Sequence, residues 1–356
     1  MDVTSALGAG YGLTVFTAGH GPERFRRAAE IARSAERASF SAVWVSELYN
    51  RSATVPMAAL AGATERILIG SNIAYGAARS PMILAAEARD LDELSGGRIV
   101  LGLGNGTPGM MQNWMGVDGS APAVRMEELV EVLRKLWRLH EGPVAHEGRF
   151  YSLAIKPTIP TAPPVQDPLP IWTAGVNPRM VRAAGRVADG LVGHPMMTAE
   201  YVADVLRPEL ASGAAEAGRD VEIGVSGTRI CSVDEDEEAA RSRAAFAIAQ
   251  YAAARVYDRL FALHGWSSAQ ETIRAAAKAR DSAAMTAAVT DEMIDAMAIA
   301  CRPEDLARLA ARHAEPFDHL NLTAPPWGLE PEEIEGATRR IVALLAEPVP
   351  AAGVRS

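Results

Sequence analysis

Leu91-Asp-Glu-Leu-Ser-Gly-Gly-Arg-Ile-Val-Leu-Gly-Leu-Gly-Asn-Gly106 is the stretch whose reading decides the fold. It reads as a helix end, a tight turn and a short strand. Gly96 suits the left-handed backbone that closes a helix. Ile99, Val100 and Leu101 show no polar alternation, so the strand is predicted to be buried on both faces. It is expected to break at Gly102. The glycines after it fall at the strand's carboxyl end, where parallel sheets and barrels gather ligands. A plain glycine-rich connection that binds nothing is the alternative.

Outward from this stretch, the same unit repeats. Strands are predicted at 11–16, 42–45, 66–73, 170–174, 188–192, 221–233 and 317–322, each followed by a segment with helical spacing. The helix after the fifth strand opens at Asn177-Pro178, a cap residue followed by a proline whose missing N–H does no harm in the first turn. A long helical region is expected from Asp234 to about Ala311, interrupted near Gly265-Trp266. Strand-then-helix units in series imply a parallel sheet, and eight of them favour a closed (β/α)8 TIM barrel. The chain is therefore expected to be a single barrel domain over 1–356. It exceeds the roughly 250 residues typical of such a barrel, so insertions are placed at about 142–168 and 234–301, the first with a short hairpin. A doubly wound open sheet plus a helical domain is the competing architecture.

The formal net charge of -9 disfavours nonspecific binding to nucleic acid or anionic lipid. No apolar run is long enough to span a bilayer, no secretion signal is visible, and two cysteines make no disulfide framework. Together these point to the cytoplasm.

The residues just after each strand form the expected rim. They include Glu47, Tyr49, Asn50 and Arg51, then Asn72 and Tyr75, then Asn105, Gly106 and Thr107. Gly175, Val176 and Asn177, His194, and Asn321 and Thr323 follow, with Met110, Met111, Trp114, Met196 and Met197 nearby. This polar but mostly uncharged rim with an apolar wall suits a planar cofactor and an organic substrate. Met110, Trp114, His194 and Met197 are the expected substrate pocket. Glu47 reads either as a functional carboxylate or as a rim salt bridge to Arg51. His194 reads either as a pocket residue or as a hydrogen-bond partner of its loop. No cluster has metal-ligand spacing, and no Walker A, GxGxxG or nucleophile-elbow motif is present.

Four segments together resemble the bacterial luciferase-like flavin- and deazaflavin-dependent oxidoreductases. They are Val43-Trp-Val-Ser-Glu47, Pro81 through Arg98, Leu101-Gly-Leu-Gly-Asn-Gly106, and Pro170 through Gly190. Tyr49-Asn50-Arg51, the run Ile67 through Ile73, and Thr290-Asp-Glu-Met293 ahead of Pro303-Glu-Asp305 are similar to the coenzyme F420 branch, especially methylenetetrahydromethanopterin reductase-like proteins. The resemblance implies a luciferase-like barrel holding a reduced flavin-type ring at its carboxyl-end mouth. It implies a non-proline cis peptide at Asn72–Ile73 behind the ring. It places Asn105, Gly106 and Thr107 against the ring or its side chain, and Ala174, Gly175, Val176 and Asn177 around a phosphate. It implies a homodimer.

Where relatives often carry an Asp-His pair after the second strand, this chain has Glu47-Leu48, and Thr107 stands where some deazaflavin enzymes have a carboxylate. Alcohol oxidation needs a base for the hydroxyl proton, so the expected reaction is hydride transfer to an activated C=C or C=N bond with F420. Glu47 would polarise or protonate, with Tyr49 and Asn50 orienting. The alternatives are an FMN-dependent monooxygenase supplied by a separate flavin reductase, and a barrel that only binds a ligand.

Overall fold

Eight strands pair in parallel in chain order in the computed structural model, which describes residues 3–8, 10–16, 19–77 and 79–346. They are β1 (Gly12–Thr14), β2 (Ala42–Val45), β3 (Leu68–Ser71), β4 (Ile99–Gly104), β5 (Ile171–Ala174), β6 (Gly190–Val192), β7 (Gly224–Val233) and β8 (His319–Thr323). Gly12 lies opposite Asn321, so β8 closes on β1, and Gly190 opposite Gly224 joins β6 to β7. The sheet is therefore a barrel, not an open layer, with the helices between strands packed around it. The termini of the expected 1–356 domain lie outside the described residues.

Period-two alternation sorts each strand into an outer and an inner set. Leu13, Val43, Ile69 and Leu101 join the main core under the helices. Ala42, Trp44, Leu68, Val100, Trp172 and Val192 fill the barrel itself. Two indoles in so narrow a space need glycine opposite them: a Cβ at Gly70 would stand 2.2 Å from the Trp44 ring, and one at Gly190 2.3 Å from Trp172. The helix Val3–Gly8 plugs the amino end, where Val3 and Leu7 pack on this inner cluster. Trp44 Nε1 donates to His319 Nε2 at 3.0 Å, and the other ring nitrogen of His319 donates to the Leu7 carbonyl at 2.9 Å.

The quoted stretch folds as read at its turn and differs at its strand. Helix Pro81–Ser95 ends with Gly96 at φ 67°, in the left-handed region. The strand does not break at Gly102 but continues through Gly104. The reason lies in the neighbouring strand: Ser71 Oγ donates to the Gly102 carbonyl at 2.8 Å and accepts from its N–H at 3.0 Å. The third predicted strand is split after Ser71 by a cis Asn72–Ile73 peptide, and a two-residue strand, Ala74–Tyr75, then pairs with the end of β4.

The first insertion holds an antiparallel hairpin, Val144–Glu147 with Ser152–Ile155. In the second, the helical region is not continuous to Ala311. Helices Glu237–Ala252, Asp258–Leu263, Ser267–Ala279, Ser282–Ala287 and Asp291–Met297 give way to a buried strand, Ala298–Cys301. That strand pairs in parallel with the outer half of β7, which projects beyond the barrel. Among the described residues no helix is long and apolar enough to cross a membrane.

Candidate active site

The carboxyl ends of the eight strands bring the predicted rim to one mouth, and its floor is polar. Asn321 Nδ2 donates to Thr14 Oγ1 at 2.8 Å, and Asn72 Nδ2 donates to Thr228 Oγ1 at 3.1 Å. Thr228 passes its own proton to the Gly193 carbonyl at 3.0 Å. Strands β1, β3, β7 and β8 thus meet through one row of hydroxyls and amides. Asn321 Oδ1 is buried and has no partner among the described residues. An unpaired buried acceptor costs about 1–3 kcal/mol, a cost that a bound donor would remove.

The bulge after β3 is clamped from β2. Ser46 Oγ donates to the Asn72 carbonyl at 2.7 Å, and the Glu47 N–H donates to the Ile73 carbonyl at 3.1 Å. The Glu47 carboxylate is fully engaged: Arg79 reaches both of its oxygens at 2.6 Å, and the Tyr75 N–H donates to one of them at 2.7 Å. Its partner is Arg79, not the Arg51 of the rim reading; Arg51 donates instead to Gly19 and Asn50 carbonyls. Burial, with Glu47 beside it, pushes the Tyr75 hydroxyl up to about 12. Ile73 leans into the inner cluster above Gly104, where a Cβ would come within 2.6 Å of its side chain.

The β4 loop uses its polar groups on itself. Asn105 Nδ2 donates to the Pro122 carbonyl at 2.7 Å, and its buried Oδ1 has no partner among the described residues. Gly106 takes φ 70°, and Thr107 Oγ1 caps helix Pro108–Asn113 by accepting from the Met110 N–H at 3.2 Å. Met110 lies over Gly106, and Met197, fully buried in the main core, donates its N–H to the His194 carbonyl at 3.0 Å. The β5 loop leads from Ala174 and Gly175 into helix Pro178–Val187. Asn177 occupies its cap position, but its side chain makes no capping bond. The first-turn N–H groups therefore remain available to an anion. The Val176 carbonyl is held from below by Tyr201 Oη at 2.8 Å.

Opposite these loops stands an aromatic wall. His194, two residues beyond β6, meets Tyr251 edge to face at 4.4 Å between ring centres and Tyr257 at 5.0 Å. Tyr251 in turn meets Trp327, beyond β8, at 4.4 Å. The Tyr257 hydroxyl lies 2.9 Å from His194 Nε2. Burial holds the His194 imidazole down at about 3, so it is neutral at physiological pH. Further out, Tyr49 packs edge to face on Trp114 at 5.3 Å, with Tyr49 73% exposed on a tight turn from Leu48 to Arg51. Asn50 is exposed on the same turn.

Sequence reasoning missed Arg79, Tyr251, Tyr257 and Trp327. None directly follows a barrel strand, and the tyrosines sit in helices of an insertion whose path periodicity does not reveal.

The luciferase-like monooxygenase family model matches residues 11–319. An uncharacterized protein of Mycobacterium tuberculosis is 33% identical over 285 residues, 78% of this chain and 84% of that protein. The 5,10-methylenetetrahydromethanopterin reductase of Methanolobus tindarius is 30% identical over 281 residues, 78% of this chain and 83% of its own length. The solved coenzyme F420-dependent tetrahydromethanopterin reductase of Methanopyrus kandleri shares the fold with a TM-score of 0.75 at 24% identity, covering 94% of this chain and 97% of that one.

Proposed function

The chain belongs to the luciferase-like monooxygenase family, and from that premise we propose that it is a coenzyme F420-dependent oxidoreductase acting on a small organic substrate at the carboxyl-end mouth. What carries the reading is the pairing, at one mouth, of an uncapped helix start beside Gly175 with a polar floor whose Asn321 Oδ1 has no partner among the described residues. The first suits a phosphate and the second the polar edge of a heterocyclic ring. Gly104 makes room for the Ile73 side chain of the bulge, which a Cβ there would strike. The relatedness to a methylenetetrahydromethanopterin reductase favours the deazaflavin over FMN.

In this reading Ala174, Gly175, Val176 and Asn177 hold the phosphate. Asn72 and Ile73 lie behind the ring. Gly106 and Thr107 lie along the ring or its side chain, and Asn105 contributes through its backbone, because its amide is tied to Pro122. Bound there, the deazaflavin supplies a hydride. The protein's part is to fix the ring, exclude water with the aromatic wall, and orient an activated C=C or C=N bond. Glu47 acts as a positioning residue that clamps the bulge through Arg79 and Tyr75. Tyr49 and Asn50 orient substrate from the exposed turn, with Met110, Trp114 and His194 bordering its pocket. The single barrel carries its insertions, at about 142–168 and 234–301, as additions to one functional unit.

Titration of the purified protein with F420 and with FMN, followed by intrinsic tryptophan fluorescence, tests this. Saturable F420 binding with weak or absent FMN binding is the expected result. Tight FMN binding without F420 binding would overturn it in favour of a monooxygenase fed by a separate flavin reductase.

A further inference from the structure

The proposed reaction leaves open what steadies the charge that a hydride pushes onto the substrate, and several polar groups of the mouth are already engaged. The Glu47 carboxylate is occupied on both oxygens by Arg79. Tyr257 directs its hydroxyl at His194, and that imidazole, being neutral, has no ionic proton to lend. Thr228 donates to Gly193, and Asn72 donates to Thr228. Asn321 donates to Thr14.

Tyr251 is different. Its ring is wedged between His194 and Trp327, each at 4.4 Å between centres and each meeting it at a steep angle, so the side chain is rigidly held. Its hydroxyl has no hydrogen bond to any described residue, and it is not among the unpartnered polar atoms sealed from solvent. It is a fixed donor without a described acceptor, on a half-buried side chain. Burial raises its pKa, so the proton stays on the oxygen throughout the neutral range. An apolar wall with an oriented and unengaged O–H suits an uncharged carbonyl substrate better than an anionic or cationic one.

We propose that Tyr251 is a catalytic residue that donates a hydrogen bond to the carbonyl oxygen of an α,β-unsaturated carbonyl substrate. This deepens, and rests on, the F420 reading. A reduced deazaflavin, the reductant, delivers hydride to the β-carbon. The C=C π pair shifts to form a C=C bond between the α-carbon and the carbonyl carbon, and the carbonyl π pair moves onto oxygen. Tyr251 keeps its proton and stabilises that enolate oxygen through the hydrogen bond. The α-carbon then takes a proton from solvent, the carbonyl re-forms, and the product is the saturated carbonyl compound plus oxidised deazaflavin.

Cyclohex-2-enone and an N-alkyl iminium salt, which has no oxygen to accept the bond, serve as probes with wild type and Tyr251→Phe. Loss of an oriented oxyanion donor costs about 10²–10³-fold in kcat, so the variant is expected to lose that much with the enone. Its F420 affinity and thermal midpoint should match wild type. Enone binding, read from tryptophan quenching in the protein loaded with oxidised F420, should weaken several-fold. Wild-type kcat for the enone in Tyr251→Phe would overturn the proposal. So would a wild type that reduces the iminium salt and not the enone, an outcome that leaves the F420 reading standing. Failure of F420 to bind would overturn both.

Discussion

Glu47 lies where a catalytic carboxylate would be sought, immediately beyond a buried strand, yet its contacts are those of a clamp. Its side chain is 9% exposed and that of Arg79 17% exposed, and the two form a bidentate pair. Removing one partner of a buried pair leaves an uncompensated charge, at a typical cost of about 3–5 kcal/mol. Because this pair keeps some contact with solvent, about 2–3 kcal/mol is the expected loss of stability for Glu47→Gln. Denaturant unfolding reads that figure. The same variant should keep the shape of the wild-type pH–rate profile, since a clamp and not an acid–base catalyst has been removed. Disappearance of one limb of the profile, with stability unchanged, would return Glu47 to acid–base chemistry. Position after a strand was readable in the sequence; the partner was not, because Arg79 is thirty-two positions away and is brought alongside only by the bulge. Arg98 shows the converse. It looks like a charged residue of a conspicuous motif, but it is buried and spends its guanidinium on Ser95, Ala61, Thr64 and Ile67 carbonyls and the Thr64 hydroxyl. It stitches the base of β4 to the preceding strand and takes no part in the mouth.

Strand β4 was expected to end at its first glycine, and its continuation explains why that glycine is there. A Cβ at Gly102 would sit 1.8 Å from the Ser71 carbonyl oxygen, far inside any tolerated contact. The obstacle is backbone, so neither strand can yield without breaking the exchange between Ser71 Oγ and Gly102. Overpacking usually costs about 1–3 kcal/mol; here Gly102→Ala is expected to exceed that range and to yield little folded protein, as judged by soluble expression and circular dichroism. A variant that melts within a degree or two of wild type would refute this. Strands such as β2 and β4 were legible because uninterrupted apolar runs bounded by turn residues are what a doubly buried parallel strand requires, and β7 because it is long and closer to alternating. Strand Ala298–Cys301 has the same character but only four residues after a run of helices. Short apolar runs do not separate strand from helix by period alone. Its pairing depends on β7 projecting past the barrel, a fact about length in space. The aromatic wall was hidden for a similar reason: Tyr251 closes helix Glu237–Ala252, and only the turn of the insertion brings it back over β6.

At the scale of the whole molecule, three imidazoles fold into surroundings that keep them uncharged. Burial lowers His194 to about 3 and His313 to about 3, the latter with help from Arg229 and Arg312. Burial likewise lowers His319 to about 4, against the opposing effect of its backbone hydrogen bonds. Free imidazole titrates near ~6.5. Below that pH the unfolded chain therefore binds protons that the folded chain refuses, and stability falls as pH falls. Each group contributes about 1.4 kcal/mol per pH unit inside its window, so the three together approach about 4 kcal/mol per unit between roughly pH 6 and 4. Glu36 and Glu128, both pulled below the usual carboxylate range by backbone N–H groups despite their burial, push the same way at lower pH, because the unfolded chain protonates them first. A loss of about 8 kcal/mol over those two units is a large share of the about 5–15 kcal/mol that stabilises a typical domain. Thermal midpoints measured from pH 9 to pH 4 are expected to be level above about pH 7 and to fall with increasing steepness below about pH 6. The loss belongs to both ends of the barrel at once, since His319 is tied to the amino-end plug and His194 to the aromatic wall. His319→Gln, which takes one of the three groups out of the balance, should therefore flatten the acid limb by about a third even though it lies at the opposite end from the mouth. A midpoint that stays level from pH 7 to pH 4 would mean that these imidazoles are reached by protons in the folded state.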